Sequence, residues 1–425
     1  MVGMNRTYLA DLERGAYKLS AKLSKRLESV FALFEHNNPI DVMYDYVRVR
    51  FPFSVPGTDE LSIVQANAKE IIEGVFGLRF ESWIDESKKR YGYAGIYTLG
   101  DLHVMYPRSE AANMGILLEL KGYGCRQLEF YMEKQGRTWH SFFRACYNYV
   151  PDFKRLDIAI NDHVGILSVP DLIERCEQDA FDLMPVRTYR ALKSRAPIYG
   201  ETVDKKPAMA CTLYLGFPRK SKIYFCLYEK DHERKAKARL NLVDAGPKNC
   251  FEIRLSEECA NFAVQEIIEK GSVETVALNI IEQDVIFWAS PDQPDKTYPR
   301  WTQFIGVGRH KAKLALCPKP FTLERKLQWI GKYAIPTLKM LAVLDQFHGT
   351  SKLDDMYAQA ELSDHQKRLH DQMTKPVDEI LVPAFLNKQT HPPAYEKGDE
   401  DGFVETNMKP GEVLTMNRKF TDINK

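Results

Sequence analysis

Four short segments of this 425-residue chain alternate apolar and polar residues with a period of two, at residues 116–121, 155–162, 223–230 and 251–255. Successive side chains of a β-strand point to opposite faces of a sheet, so each segment predicts a strand with one apolar and one polar face. A strand with one polar face is typical of antiparallel sheets. The chain is therefore predicted to be an α+β protein in which helices flank an antiparallel sheet.

If the four strands share one sheet, their polar side chains collect on one face. These side chains are Glu119, Asp157, Asn161, Tyr228, Lys230, Glu252 and Arg254. Carboxylates and an amide suit a hard cation such as Mg²⁺ or Mn²⁺, and a tyrosine beside such a cation could attack a phosphodiester. An ordinary solvated sheet has the same pattern, however, and the pattern alone favours that interpretation.

Charge and composition restrict the remaining choices. Lys and Arg number 59 against 58 Asp and Glu, so any affinity for DNA must come from local patches. The eight cysteines include no CxxC pair and the histidines no His-x-His pair, which predicts reduced, packed thiols. No apolar run of membrane-spanning length and no signal peptide is visible, so the sequence predicts a cytoplasmic protein that does not bind membranes.

Turn-rich breaks predict five regions along the chain. Residues 1–36 form a helical segment that resembles part of a phage-repressor helix-turn-helix, with an ordinary amphipathic hairpin as the alternative. Residues 40–150 and 151–318 form the main body, and residues 320–375 form C-terminal helices. Residues 376–425 contain few apolar side chains and predict a largely disordered tail.

Several motifs in the main body resemble, in order, those of the replication initiation factor family. They lie at 154–162, 213–216, 219–221, 224–230, 233–234 and 251–255, and two upstream motifs at 90–93 and 122–129 look like the relaxase branch. This family includes rolling-circle initiators of Gram-positive plasmids and relaxases of conjugative transposons. The resemblance covers about residues 40–345 and implies a Rep or relaxase-like nicking domain, with its catalytic part and metal site in 151–318.

The resemblance also implies roles for individual residues. Tyr228, in the family's Tyr-x-Lys element, is the expected nucleophile, and Tyr224 on the same face is the alternative. The family's acidic positions fall on Asp157, Glu233 and Glu252, and the alternating pattern adds Glu119 as a further ligand for Mg²⁺ or Mn²⁺. Asn161 replaces an aspartate of some relatives. Lys230 and Arg254 are expected to stabilise developing charge, or else to form structural ion pairs.

The expected activity is site-specific nicking and rejoining of one DNA strand at an origin, through a 5′-phosphotyrosine intermediate. Expected DNA contacts are Arg126, Arg187, Arg190, Lys193, Arg195, Arg219, Lys220, Lys222, Arg234 and Lys235. Expected partners are origin DNA, single-stranded or as a cruciform or supercoiled duplex, with a host helicase and a second copy of the chain as further candidates. The alternatives are a non-enzymatic DNA-binding regulator and a degenerate protein that binds origins without cutting them.

Overall fold

Strands and helices alternate along the chain in this computed structural model. It describes residues 39–53, 60–86, 88–184, 187–195, 209–218, 220–231, 246–311, 313–314, 316, 318–319 and 330–383. The strands within these ranges are β1 (Ile40–Phe51), β2 (Ile84–Glu86), β3 (Gly95–Leu99), β4 (Leu102–Tyr106), β5 (Ile116–Lys121), β6 (Asp152–Asp162), β7 (Phe181–Leu183), β8 (Tyr189–Arg195), β9 (Met209–Leu215), β10 (Ile223–Glu229), β11 (Asn249–Ser256), β12 (Val285–Phe287) and β13 (Lys313–Leu314). The four predicted strands are confirmed as β5, β6, β10 and β11. The helix-turn-helix prediction for 1–36 lies outside the described residues.

Among the described residues, helices lie between the strands and after them. They are α1 (Glu60–Ile71), α2 (Gly122–Gln135), α3 (Trp139–Tyr147), α4 (Val169–Glu177), α5 (Glu258–Lys270), α6 (Val273–Asp284), α7 (Pro299–Lys311), α8 (Ile335–His348), α9 (Lys352–Gln359), α10 (Asp364–Thr374) and α11 (Val377–Ile380). In the part of the chain that the structure covers, none of these helices has the length and apolar character needed to cross a membrane. The predicted α+β class is confirmed.

The described chain divides into two compact units. The first unit contains residues 39–47 and 153–316, and the second contains residues 48–152 and 318–383. In the first unit the strand order is β1-β6-β11-β10-β9-β8, and the neighbouring pairs from β6 to β8 are all antiparallel. The short strand β13 pairs parallel with β1.

Helix α7 covers the apolar face of the first unit's sheet. The ring of Phe251 in β11 lies 5.9 Å from the ring of Trp301 and 6.1 Å from that of Phe304. These three side chains are almost fully buried, as are Ile158 and Phe225 on neighbouring strands. Each such side chain contributes about 1.5–3 kcal/mol by leaving water. The core therefore occupies one face of the sheet and leaves the other to polar side chains.

The seven described cysteines form no disulfide with one another and are buried, as predicted for packed thiols. Cys146 is fully buried in α3, and burial places the pKa of its thiol well above the ordinary range. Cys250 and Cys226 lie on β11 and β10, and burial raises the pKa of each thiol to about 12. These thiols are protonated at neutral pH and act as small apolar groups.

Asp284 is the last residue of helix α6, and its surroundings are unfavourable for a charged carboxylate. Its side chain is buried, and its Oδ2 atom has no hydrogen-bond partner among the described residues. Burial alone raises the pKa of this carboxyl from 3.8 to about 7. A negative charge at a helix C-terminus also opposes the helix dipole. The folded state therefore prefers the protonated form of Asp284.

Replacing Asp284 by asparagine is expected to stabilise the protein at high pH. Asp284 has a higher pKa in the folded protein than in the unfolded chain, so its protonation stabilises the fold. This stabilisation is complete below the unfolded pKa and is lost as pH rises through about 7. Asparagine never ionises. In chemical denaturation, the free energy of unfolding of the variant should rise relative to that of the wild type between about pH 4 and about pH 8. The difference should reach about 2–4 kcal/mol. A difference that does not change with pH would contradict this account.

The second unit contains strands β2 to β5 and its own core. Its antiparallel strands follow the order β2-β3-β4-β5. Thr138 caps the N-terminus of helix α3, and its side chain accepts from the Ser141 amide in a reciprocal capping box. This helix buries Trp139 and Phe142, whose rings pack edge to face with centroids 5.5 Å apart.

Residues near the C-terminal end of the described chain also belong to the second unit. Gln372 in α10 donates to the carbonyl oxygens of Ser82 at 3.0 Å and Thr98 at 2.8 Å. Leu381 is completely buried and forms an isolated antiparallel bridge with Leu78. Residues 376–383, the described part of the region predicted as a tail, include helix α11 and the buried side chains of Ile380 and Leu381. Residues 384–425 of the predicted tail lie outside the described chain.

Candidate active site

Strand register brings most of the predicted residues of the first unit onto one face. Three rows of residues cross these strands, and each row takes one residue from β10, one from β11 and one from β6. In this order, the rows are Tyr228, Cys250 and Asn161; Cys226, Glu252 and Ala159; and Tyr224, Arg254 and Asp157. Directly opposed residues of an antiparallel pair point to the same side, so each row is a set of neighbouring side chains. The structure therefore brings the polar side chains of β6, β10 and β11 together on one face, as the alternating pattern predicts.

The centre of this face is the carboxylate of Glu252. The Tyr228 hydroxyl donates to its Oε1 at 3.1 Å, and Arg254 donates to its Oε2 from Nε at 3.0 Å and from Nη2 at 2.6 Å. Glu252 is only 6% exposed, and its buried charge is compensated by the guanidinium. One carboxylate thus fixes the phenol and the arginine relative to each other, and it can accept the phenol proton.

Lys230 follows directly after β10 and is held by a polar chain. Its Nζ donates to Asn161 Oδ1 at 2.7 Å, and Asn161 Nδ2 donates to Asp41 Oδ1 at 2.6 Å. The second oxygen of Asp41 lies 2.5 Å from His163 Nε2. Asp41 and His163 were missed by sequence reasoning. The sequence feature that could have indicated Asp41 is its position between Ile40 and Val42, which are buried strand residues.

Asp157 lies beside the same group of charges. Arg155 donates to its two oxygens at 2.8 Å and 2.5 Å, and Arg254 Nε is 4.0 Å from its Oδ2. The guanidinium of Arg155 in turn lies 4.4 Å from the ring centre of Tyr46. Burial, the largest effect, raises the pKa of Asp157 to about 6, although the two arginines favour the ionised form.

The alternative nucleophile, Tyr224, is in a different environment. Its ring stacks on that of Tyr214 with centroids 5.8 Å apart and planes 13° apart, and the Arg254 guanidinium lies 5.9 Å from the ring centre. Tyr224 is buried, and burial is the main cause that raises the pKa of its phenol. Tyr228 is less buried, and it is the tyrosine in contact with Glu252.

The predicted cation site is not assembled by the described residues alone. Among them, no three Asp, Glu, His or Cys side chains form a group that could hold a metal ion. Asp157 and Glu252 are near each other, but each is already paired with arginine. Glu233 lies outside the described residues. As they stand, the described residues do not fit a divalent cation, because Arg155 contacts both oxygens of Asp157, while Arg254 and the Tyr228 hydroxyl contact those of Glu252.

Glu119, the fourth predicted ligand, belongs to the second unit. Its carboxylate is fully buried and lies 3.0 Å from Arg90 Nη1 and 3.7 Å from Lys121 Nζ. It also accepts a hydrogen bond from the Tyr91 hydroxyl at 3.3 Å. Ligation of a metal by Glu119 stays a prediction.

The predicted DNA contacts of the first unit have varied surroundings. Arg190 is exposed on β8, with its guanidinium 4.6 Å from the ring centre of Tyr214. Arg187 is exposed and ion-paired with Asp179 at 3.0 Å. Lys222 pairs with Glu258 at 2.9 Å, and Lys220 is exposed. Of Lys193 and Arg195 only the backbone, in β8, is described, and Arg219, Arg234 and Lys235 lie outside the described residues.

Arg126, in α2 of the second unit, differs from the other predicted contacts because it is buried. Its Nη2 lies 2.9 Å from Glu129 Oε1, and the same oxygen accepts from the Trp139 indole at 3.0 Å. Glu129 thus links the guanidinium of Arg126 within α2 to the indole of Trp139 in α3. Arg126 is therefore not part of the DNA-contacting surface proposed below.

Comparison with known proteins identifies relatives of both halves of the chain. A family model described as "Replication initiation factor" matches residues 151–357, and one described as "Rolling Circle replication initiation protein N-terminal domain" matches residues 41–145. A protein of Bacillus subtilis (strain 168) named "Putative DNA relaxase NicK" is 29% identical over 352 residues, which cover 81% of this chain and 93% of that protein.

A solved structure supports the fold. The rolling-circle replication initiator protein from Geobacillus stearothermophilus superposes with a TM-score of 0.51 and 22% sequence identity, covering 65% of this chain and 99% of the other. At this identity the likeness concerns the fold alone. The two family models and the relaxase relative agree with the ordered motifs: over residues 41–145 and 151–357 the chain is similar to replication initiation factors, and the named relative favours the relaxase branch.

Proposed function

We propose that this protein nicks one strand of DNA at a specific origin and rejoins it, with Tyr228 as the nucleophile. The family supplies the general activity class, a rolling-circle initiator or relaxase. The observation that carries the choice of residue is the contact of the Tyr228 hydroxyl with the buried carboxylate of Glu252, which Arg254 also binds.

The proposed reaction is a transesterification. The Tyr228 oxygen forms a bond to phosphorus while the bond from phosphorus to the 3′ oxygen breaks, and the phenol proton passes to Glu252. The 3′ oxygen leaves and takes a proton from water to become a hydroxyl, and the 5′ phosphate remains attached to the tyrosine. The phosphotyrosine bond conserves the energy of the phosphodiester, so the reverse step rejoins the strand without ATP.

Arg254 and Lys230 have electrostatic roles in this proposal. Arg254 pairs with Glu252 and places a positive charge beside the attacking oxygen. Lys230, fixed by Asn161, places a second charge on the same face, where it can stabilise the additional negative charge on the phosphoryl oxygens. Arg190, Lys220 and Lys222 are proposed to bind neighbouring phosphates together with the predicted basic residues whose side chains are not described.

Dependence on Mg²⁺ or Mn²⁺ stays a prediction, with Asp157, Glu252, Glu233 and Glu119 as the predicted ligands. A chelator experiment addresses it directly. If nicking persists in EDTA at its full rate, the cationic side chains alone provide the electrostatic stabilisation. A helicase partner and self-association also stay predictions.

The polarity of the covalent product tests the proposed reaction. The substrate is a supercoiled plasmid carrying the DNA that surrounds this chain's own coding sequence, so that no origin need be known beforehand. We expect nicked circles in which the protein blocks the 5′ end while the 3′ end is open to a DNA polymerase. Extension that is blocked at the 3′ end would contradict the mechanism. Binding without any nick would instead favour the degenerate origin-binding protein or the non-enzymatic regulator.

A further inference from the structure

The second unit carries a group of aromatic and basic side chains that the proposed nicking site does not use. Tyr91 is at its centre and is 53% exposed. The guanidinium of Arg90 lies 4.9 Å from the Tyr91 ring centre, and that of Arg48 lies 5.7 Å from it. Lys121, half exposed, is the third cation of the group and lies 3.7 Å from Glu119. We call Arg48, Arg90, Tyr91 and Lys121 the Tyr91 cluster.

The backbone at Tyr91 is in a conformation that tyrosine rarely adopts. Its φ is 52°, and the next residue, Gly92, has a φ of 85°. Two consecutive positive φ values form the tight turn that closes the bridge between Arg90 and Tyr93. Glycine, asparagine or aspartate would be less strained than tyrosine at this position. A large side chain held in such a conformation at the surface suggests a function for the side chain itself.

A buried carboxylate holds the cluster in place. Glu119 is 0% exposed, and its two oxygens contact the Tyr91 hydroxyl at 3.3 Å and Arg90 Nη1 at 3.0 Å. Arg90 Nη2 also donates to the Tyr91 hydroxyl at 3.2 Å. The phenol is therefore anchored by its hydroxyl while much of its surface remains exposed. Arg48 has no ion-pair partner among the described residues, so three cations are balanced by one carboxylate.

We propose that the Tyr91 cluster binds single-stranded DNA, with a base stacking on the Tyr91 ring and adjacent phosphates held by Arg48, Arg90 and Lys121. An exposed aromatic ring surrounded by cations is the usual means of binding a single strand without reading its sequence. Duplex DNA keeps its bases stacked on one another, so the ring favours the single strand. The inference takes its substrate class from the proposed function, but it assigns a separate binding site in the second unit.

Binding of the full-length protein to a fluorescein-labelled oligothymidylate tests the proposal, because this probe requires no cleavage. Tyr91→Ala is expected to weaken binding about 5- to 100-fold, the cost of one lost base stack. Tyr91→Phe keeps the ring and should bind within about threefold of the wild type. Arg48→Gln should lower the slope of log affinity against log salt by about one, because one phosphate contact is lost.

Two controls separate binding from folding. Tyr91→Gly relieves the strained φ, so it should melt within a few degrees of the wild type and still lose affinity. Tyr357→Ala removes a tyrosine of the same unit that is 87% exposed and is expected to bind normally. Unchanged affinity of Tyr91→Ala and an unchanged salt slope of Arg48→Gln would overturn the proposal. Failure of the proposed nicking function would appear elsewhere, as absence of the covalent product.

Discussion

Replacing Tyr228 by phenylalanine should abolish nicking and the covalent product while DNA binding remains. The substitution removes one oxygen, and that oxygen is the proposed nucleophile, so no other group can form the bond to phosphorus. The expected loss in nicking rate is at least about 10³-fold. The rate is measured as conversion of supercoiled plasmid to nicked circles, and binding is measured by fluorescence anisotropy with the same DNA.

Tyr224→Phe is the matched control for this prediction. Tyr224 lies on the same strand and face, but its ring packs on Tyr214. Loss of its hydroxyl is expected to change the nicking rate by less than about tenfold. If Tyr224→Phe is inactive and Tyr228→Phe is active, the nucleophile is the alternative tyrosine, and the contact with Glu252 is structural.

Replacing Arg254 by methionine should impair both nicking and stability. The substitution leaves the Glu252 carboxylate buried without its guanidinium, which costs about 2–4 kcal/mol in the free energy of unfolding. It also removes a positive charge next to the attacking oxygen, and such groups are worth about 10²–10³ in rate. Denaturant unfolding and the plasmid assay, performed below the melting temperature of the variant, measure the two effects.

A double substitution separates these effects. Glu252→Gln with Arg254→Met removes both charges, so most of the lost stability should return. Nicking should stay impaired, because the proton acceptor and the positive charge are both missing. A double variant that recovers the wild-type nicking rate would show that the pair serves only the fold.

The polar face could be predicted from sequence because it depends on a local property. In β6, β10 and β11 alternate side chains share a face whatever the rest of the chain does. The contacts across the face depend on register, which places Glu252 opposite Cys226 and Ala159. Register is fixed by pairing between distant segments and is not written in any one strand.

The residues that sequence reasoning missed or misplaced show the same limit. Asp41 and Asn161 are 120 positions apart and meet only through folding, so no local pattern connects them. The positive charge of Arg126 suggested a surface role, but charge does not reveal on which side of a helix a residue packs. Glu129, one helical turn later, and Trp139 hold it in the interior.

Identification of the amino acid that carries the DNA tests the central claim most directly. After nicking, nuclease treatment and trypsin digestion, cleavage at Lys222 and Lys230 releases residues 223–230, a peptide that contains both Tyr224 and Tyr228. Fragmentation of this peptide in a mass spectrometer separates the two positions. We expect the nucleotide mass on Tyr228. A nucleotide on Tyr224, or on a residue outside this peptide, would contradict the assignment of the nucleophile.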